Sequence, residues 1–199
     1  MTKVYGADTP VTAELGLLLP GIGKTLVPIE GAAALGPTPV GINYTVVLFA
    51  ASFVEQSPVA LDTPIQVNFG APQSNAFIDL DAAGTVAFLQ DGLYQIEVRA
   101  TIGRATNPGN AIFLARSRLN GIQIGNSFHA NLPNNQIQTP LFAATTVAAS
   151  VNDEFTVQVA RSSLGNNSGG LFTQSAGPLG WAASPSIQIV VTRITAVTL

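Results

Sequence analysis

The residue types that could perform catalysis or bind metal are few and scattered in this sequence. His129 is the single histidine, and it stands alone in the Asn-rich stretch NSFHANLPNN. A catalytic triad needs a nucleophile and an orienting acid around the imidazole, and metal sites draw on several ligands. Because the sequence offers no such set, we interpret His129 as a surface or interface residue. We expect no enzyme activity, no catalytic residue and no cofactor.

One short stretch superficially resembles a phosphate-binding loop. Residues 20–25 read PGIGKT, which matches the end of that motif. The motif also needs a glycine five positions before Gly23, and Leu18 occupies that position. The stretch also lacks the strand that precedes such a loop. We therefore interpret it as a turn in an irregular segment.

A pair of acidic residues could contribute to a cation site. Asp79 and Asp81 are two positions apart, so on a strand they would point to the same side. A calcium ion takes six to eight oxygen ligands, which this pair alone cannot supply. The favoured interpretation is that both residues flank a hairpin turn, and no metal site is expected.

The overall composition indicates a surface that is largely covered. Hydrophobic residues make up 47% of the 199 residues and charged residues only 10%, whereas soluble domains average about 25% charged residues. Subunit interfaces are depleted in charge at their centres, so we expect copies of the chain or other proteins to cover much of it. The net charge of −3 and the absence of a Lys/Arg cluster argue against nucleic-acid or membrane partners.

Other composition features exclude several classes of protein. The sequence contains no cysteine, which excludes a disulfide framework, thiol catalysis and zinc–thiolate sites. No segment approaches the roughly 20 apolar residues of a membrane span. The first residues, MTKVYGADTP, do not have the pattern of a signal peptide.

Residues 1–41 differ in composition from the rest of the chain. They contain five prolines and seven glycines, which helices and central strands tolerate poorly. The segment is nevertheless apolar, so we predict an extended arm that attaches to the rest of the chain, to a neighbouring subunit or to a partner. The predicted arm contacts are Leu15, Leu17, Leu19, Ile22, Leu26 and Ile29.

Residues 42–199 have the pattern of an all-β domain. Eight to ten short strands separated by turn residues, with no convincing helix, indicate a sandwich or barrel. The clearest strand is LYQIEVRATI, in which apolar and polar residues alternate as in a half-buried antiparallel strand. The predicted core consists of Val67, Phe69, Phe88, Tyr94, Ile96, Val98, Phe155, Val157, Val159 and Ile189.

Neither face of the strand AIFLARSRL is wholly polar. An antiparallel sheet commonly leaves one face in water, so this pattern predicts a trimer interface that includes Phe113, Leu114, Arg116 and Arg118. Arg116 and Arg118 share a face, as do Glu97 and Arg99. The sequence leaves two interpretations open for these pairs: exposed cross-strand pairing, or intersubunit ion pairs that set the register of the trimer.

An ordered series of motifs resembles the jelly-roll domain of the tumour necrosis factor and complement-head family. The stretch that resembles this domain runs from about residue 44 to residue 194, and its motifs are PIQVNF, FIDLDAAGTVAFLQDGLYQIEV, LARSRLNG, VAASVNDEFTVQV and SIQIVVTRI. Asn152-Asp153 stands where the family has a Gly-Asp turn, which is a departure. The resemblance implies a two-sheet antiparallel jelly-roll sandwich that forms a compact homotrimer. Such modules also occur in bacteriophage virions, as head-decoration proteins and as tail-fibre tips.

Two functions follow from this resemblance. The first is a bacteriophage capsid decoration (cement) protein, located in the virion, whose partners are itself and the major capsid protein or other virion proteins. The second is a tail-fibre or tail-tip protein that recognises a host surface ligand. In that case the binding residues would lie in the loops 103–110 and 164–180, and Trp181 would be a possible ligand anchor.

Overall fold

The computed structural model describes residues 40–104, 109–133, 138–175 and 180–198. The chain divides into two compact units, one of residues 42–195 and one of residues 1–41 with 196–199. The predicted N-terminal arm, its six contact residues and the PGIGKT stretch lie outside the described residues apart from positions 40 and 41. The prediction of an arm is therefore not tested.

The described residues form twelve β-strands and no helix. Accordingly, no helix in this part of the chain is long and apolar enough to cross a membrane. The strands are β1 (Val40–Ser52), β2 (Ile65–Gln66), β3 (Gln73–Ser74), β4 (Ile78–Leu80), β5 (Val86–Phe88), β6 (Gly92–Arg104), β7 (Ala111–Leu119), β8 (Ile122–Leu132), β9 (Gln138–Ala149), β10 (Glu154–Arg161), β11 (Gly169–Leu171) and β12 (Ile187–Thr198).

These strands pair into two antiparallel sheets that pack as a sandwich. Sheet A has five strands in the order β1-β12-β6-β11, with β9 paired to β6. Sheet B has seven strands in the order β3-β4-β5-β10-β7-β8, with β2 paired to β10. The chain crosses between the sheets several times, because β1, β6, β9, β11 and β12 belong to sheet A and the intervening strands to sheet B. The predicted all-β, two-sheet antiparallel sandwich is thus confirmed, and the arrangement is compatible with a jelly roll.

Strand β6 is the centre of sheet A. Along one edge it pairs with β9, and along the other edge it pairs with β12 and then with β11. The predicted alternation is confirmed, because Tyr94, Ile96 and Val98 are buried while Leu93 and Arg99 face outward. The outward residues Leu93, Gln95, Glu97 and Arg99 of β6 therefore each have a defined neighbour on both sides.

The core lies between the two sheets, and the predicted core residues are all in it. Each is at most 4% exposed: Val67, Phe69, Phe88, Tyr94, Ile96, Val98, Phe155, Val157, Val159 and Ile189. The Tyr94 ring centroid is 4.7 Å from that of Phe88. The Tyr94 hydroxyl donates a hydrogen bond to the backbone carbonyl of Gln90 at 2.8 Å, so the polar end of this buried side chain has a partner.

Phe113 also belongs to the core, which corrects the prediction that it lies at a trimer interface. It is completely buried, and a methyl group added at Gly169 would lie 3.1 Å from its ring. Its side chain is therefore unavailable to another subunit. The other three predicted interface residues, Leu114, Arg116 and Arg118, lie half-buried on the opposite side of β7.

Three turns contain non-glycine residues in the left-handed backbone region. These are Asp62 (φ 56°), Asn120 (φ 50°) and Asn152 (φ 69°). Asp and Asn adopt this conformation more readily than other side chains, because their short polar groups can bond locally. The positive φ of Asn152 gives the physical reason why asparagine fits in the turn between β9 and β10.

Candidate functional site

The outer face of sheet A is a regular surface three strands wide. We define it by the outward residues of β6, β9 and β12: Leu93, Gln95, Glu97, Arg99, Phe142, Ala144, Thr146, Ala148, Gln188, Val190, Thr192 and Ile194. The strand register aligns them in four cross-strand rows. One end row is Ile194–Leu93–Ala148, and the other is Gln188–Arg99–Phe142.

This face contains one acidic and one basic residue, and they neutralise each other. Arg99 Nη2 lies 3.2 Å from Glu97 Oε2 within the same chain. The guanidinium carbon of Arg99 also lies 5.4 Å from the centre of the Phe142 ring, on the neighbouring strand, a cation–π geometry. The face as a whole therefore has no net charge.

Large apolar side chains on sheet A are exposed. Phe142 is 58% exposed and Leu93 42% exposed. The adjoining edge strand β1 exposes Ile42, Tyr44 and Val46 at 60–61%. Leu93 and Phe142 stand in opposite end rows, so the exposed apolar side chains are spread along the face rather than joined in one patch. Exposed apolar side chains together with the absence of net charge make sheet A the strongest candidate interaction surface among the described residues.

The outer face of sheet B is different in charge and shape. It holds Arg116, Arg118 and His129, and in the described part of the chain neither arginine forms an ion pair. Arg116 instead donates to the Gln158 side chain, and Arg118 donates to the Gly121 carbonyl. His129 lies exposed on β8 opposite Leu114. Within the described part of the chain, the arginines therefore do not form the exposed cross-strand ion pair, and the intersubunit ion pair stays a prediction.

Part of the apolar outer side of β7 is covered by the chain's own loop. Ser162 N donates to the Ile112 carbonyl at 2.9 Å. A methyl group at Gly165 would lie 2.6 Å from Ile112 N, so only glycine allows this close approach. The apolar pattern of β7 on this side therefore reflects contact with residues 162–165 at Ile112.

The two aspartates considered for a cation site lie at a hairpin. Asp81 Oδ1 accepts hydrogen bonds from the backbone N–H groups of Ala83 at 2.9 Å and Thr85 at 2.7 Å. Asp79 is exposed on β4. Among the described residues, no group of three or more His, Cys, Asp or Glu side chains could hold a metal ion. The role of Asp81 is to organise the β4–β5 turn.

A second turn is held by reciprocal hydrogen bonds between side chains and backbone. Asn120 Nδ2 donates to Asp153 Oδ1 at 2.7 Å, and Asn120 Oδ1 accepts from Glu154 N at 2.8 Å. Ser150 N donates to Asp153 Oδ2 at 2.8 Å. Hydrogen bonding to Ser150 N, and then to Asn120, lowers the pKa of Asp153 below its usual value. These bonds join the β7–β8 turn to the β9–β10 turn.

Buried Arg161 was not singled out by the sequence analysis. Its guanidinium donates to Asn167 Oδ1 at 2.9 Å and to the Gly169 carbonyl, and burial lowers its pKa. It therefore fixes the loop between β10 and β11. No local sequence pattern indicates this role, because an arginine at the end of a strand is usually exposed.

Large apolar side chains are exposed at Leu164 in one of the loops proposed for ligand recognition, at Trp181 just after that loop, and at Val59 in the loop between β1 and β2. Trp181 is 73% exposed, Val59 87% and Leu164 85%. Two hydrogen bonds connect the segments of Val59 and Leu164: Ser163 N donates to Asp62 Oδ1 at 2.9 Å and Asn167 Nδ2 donates to the Val59 carbonyl at 3.3 Å. Residues 105–108 and 176–179 of these loops lie outside the described residues.

Comparison with known proteins gives no family for this chain. No protein-family model matches it, and no curated protein matches it. The functional argument therefore depends on the sequence motifs and on the surfaces described above.

Proposed function

We propose that this chain is a bacteriophage virion protein that decorates and stabilises the capsid as a homotrimer. The ordered motifs that resemble the tumour necrosis factor jelly roll support a trimeric state and a location in the virion. The two-sheet antiparallel sandwich is compatible with that resemblance. We expect the partners to be other copies of the chain and the major capsid protein.

The observation that carries the proposal is the outer face of sheet A. Its two charges are paired within the chain, and its remaining residues are apolar or uncharged. A depletion of charge at the centre is what distinguishes protein interfaces from the rest of a protein surface. In the proposed trimer this face contacts neighbouring subunits. The sequence has few charged residues because a face buried between subunits does not need them.

The size of the face indicates how far the interface must extend. Four rows at about 7 Å and three strands at about 4.8 Å give an area of about 400 Å². A stable interface takes about 800 Å² from each partner. Strand β1 pairs with β12 at the edge of sheet A, and its Phe49, 59% exposed between buried Leu48 and Ala50, would extend the interface in that direction.

Capsid stabilisation follows from mass action. A protein that binds the assembled lattice and not its separated subunits stabilises the lattice by an amount set by its concentration relative to its Kd. A trimer offers three equivalent attachment points, which raises avidity without a strong individual contact. We propose that residues 1–41 provide this attachment.

The test is the number and location of copies in virions that contain this chain. We expect tens to hundreds of copies per particle, all on the head, in a cryo-electron microscopy map supported by quantitative mass spectrometry. A few copies restricted to the tail would contradict decoration. Addition of the purified full chain to heads stripped of it should restore their resistance to heat.

One observation favours the tail-tip alternative. Trp181, Val59 and Leu164 are highly exposed in loops, and exposed tryptophan is enriched at protein recognition sites. In that function the loops would contact a host surface ligand, and the copy number and tail location would distinguish it from decoration.

A further inference from the structure

An open cleft of about 360 Å³ lies on the outer face of sheet B. Its lining includes Asp62, Pro64, Leu114, Arg116, Ser127 and Gln158. The volume is at the lower end of the roughly 300–1,000 Å³ typical of small-molecule sites. The lining combines a cation, an anion, a hydroxyl, an amide and apolar side chains, so it offers several distinct interactions to one small ligand.

Arg116 is held in one orientation by a neutral partner. Its Nε and Nη2 atoms both donate to Gln158 Oε1, at 3.0 and 2.7 Å. These bonds occupy one edge of the guanidinium, and no described residue accepts a hydrogen bond from Nη1. The Nη1–Nη2 edge is a fork of N–H donors that matches a carboxylate in a bidentate geometry. The charge of Arg116 has no carboxylate partner among the described residues.

A strand irregularity places a hydroxyl beside this arginine. Between the pairs Ala115–Phe128 and Ser117–Ile124, β7 has one residue, Arg116, and β8 has the three residues 125–127. Gly125 adopts φ 65°, which releases β8 from the regular pleat. Ser127 consequently lines the cleft, and its Oγ accepts a hydrogen bond from Gln123 at 3.1 Å. Its hydroxyl hydrogen can then be donated to a ligand.

Asp62 supplies an anionic acceptor on the cleft lining. Hydrogen bonds from the Ser163 side chain, and then from Ser163 N, lower the pKa of Asp62, so the carboxylate is ionised at neutral pH. It lies beyond ion-pair distance from Arg116. A simple anion would be attracted by Arg116 and repelled by Asp62, whereas a ligand with both a carboxylate and hydroxyl groups would satisfy both residues.

We propose that this cleft binds an acidic monosaccharide unit, with the sugar carboxylate on the free fork of Arg116 and sugar hydroxyls donating to Asp62. Gln158 Nε2 and the Ser127 hydroxyl are further donors, and Pro64 and Leu114 contact the C–H surface of the ring. The proposal does not depend on the decoration function. In a trimer, three such clefts would increase affinity for a polymer of acidic sugars by avidity.

The experiment is a titration of the full chain with glucuronic acid and with glucose, followed by saturation-transfer and two-dimensional NMR. The two sugars differ only in the carboxylate at C6, so selective binding of glucuronic acid isolates the contribution of Arg116. We expect saturable binding of glucuronic acid and at least about tenfold weaker binding of glucose, as expected for loss of charge-assisted hydrogen bonds. Equal binding of both sugars, or binding of neither, would overturn the proposal.

Variants identify the site and the ligand class. Arg116→Gln should weaken glucuronic acid binding by at least about tenfold, and Arg116→Lys should also weaken it because lysine lacks the planar fork. Arg118→Gln is the matched control, since Arg118 lies on the same strand face outside the cleft, and it should leave binding unchanged. Undiminished binding of glucuronic acid by both Arg116 variants would show that the cleft is not its binding site.

Asp62→Asn separates a sugar site from a simple anion site. Asparagine tolerates the positive φ of this position, so folding should be preserved. The variant should weaken glucuronic acid binding and strengthen acetate binding, since it replaces one of the two charged acceptor oxygens with an NH2 donor and removes a repulsive charge. If both ligands bind more tightly to the variant, the cleft is an anion site and the sugar proposal is wrong.

Discussion

The outer faces of the two sheets differ in the regularity of their strand register and in the partners of their charged side chains. On sheet A the register is regular, one acid pairs with one base, and apolar residues are left exposed. On sheet B an irregularity between β7 and β8 interrupts the register, and both arginines bond to neutral groups. A regular uncharged face suits contact with another protein surface, and an irregular charged face suits a small polar ligand.

The largest expected effect comes from destroying the core that both faces share. Tyr94→Asp places a carboxyl group at a completely buried position, and the cost of burying it, added to the cavity left by the ring, is comparable with the roughly 5–15 kcal/mol that stabilises a typical domain. We expect no cooperative thermal transition by circular dichroism. We also expect loss of self-association through sheet A and of sugar binding on sheet B. Tyr94→Phe is the control, and it should fold with a loss of about 1 kcal/mol from the hydrogen bond to Gln90. A normal melting curve for Tyr94→Asp would show that the strand faces are assigned wrongly.

The next largest effect should distinguish sheet A from sheet B. Glu97→Gln removes the partner of Arg99, and in a buried interface the unpaired arginine should weaken association by about 2–5 kcal/mol. In water the same exposed pair contributes about 0–1 kcal/mol. Sedimentation velocity across a concentration series measures this difference. Arg118→Gln, the control on sheet B, should leave association unchanged. Equal association strengths for the two variants would show that sheet A does not form the interface.

A smaller effect is expected at the turn between β9 and β10. Asn152 adopts φ 69°, where alanine is strained and glycine is not. We expect Asn152→Ala to cost about 1 kcal/mol of unfolding free energy, and Asn152→Gly to be neutral within about half of that. Urea denaturation measures both. Equal stability of the two variants would show that the backbone conformation of this turn is not what selects asparagine.

The smallest effect at neutral pH concerns the ionisation of Tyr94. Burial raises the pKa of the Tyr94 phenol, while the nearby Arg193 opposes that increase. Well below pH 10 the phenol is protonated in both the folded and the unfolded state, so its ionisation does not change the free energy of unfolding. As the pH rises past about 10 the unfolded state ionises first, and stability should fall. In urea titrations at several pH values between 9 and 11, Tyr94→Phe should lose less stability than the natural sequence. The same slope of unfolding free energy against pH for both proteins would contradict this.

The sequence predicted the interior of the sandwich well, for a clear physical reason. Where one face of a strand is apolar and the other polar, as at Tyr94 and Ile96 beside Gln95 and Glu97, the period of two identifies the buried face. On β7 both faces carry apolar residues, so the pattern could not show which one faces inward. Phe113 was therefore predicted at an interface and lies in the core.

The candidate site on sheet B could be predicted only in part. Arg116 was singled out from its strand, but its contact with Gln158 joins residues 42 positions apart. Asp62 and Ser127 come from a loop and from an irregular part of β8, and no local pattern connects them. Sites assembled from distant segments need the strand register before they can be identified.

The most direct test of the central claim is the solution mass of the purified chain by sedimentation equilibrium at micromolar concentration. The account predicts the mass of three chains of 20.5 kDa each. It also predicts dissociation in Thr146→Glu, which adds charge to the outer face of sheet A, and an intact trimer in Asn131→Glu, which adds the same charge to exposed β8 of sheet B. A monomeric natural chain, or a trimer that tolerates Thr146→Glu, would contradict the assignment of sheet A as the association surface.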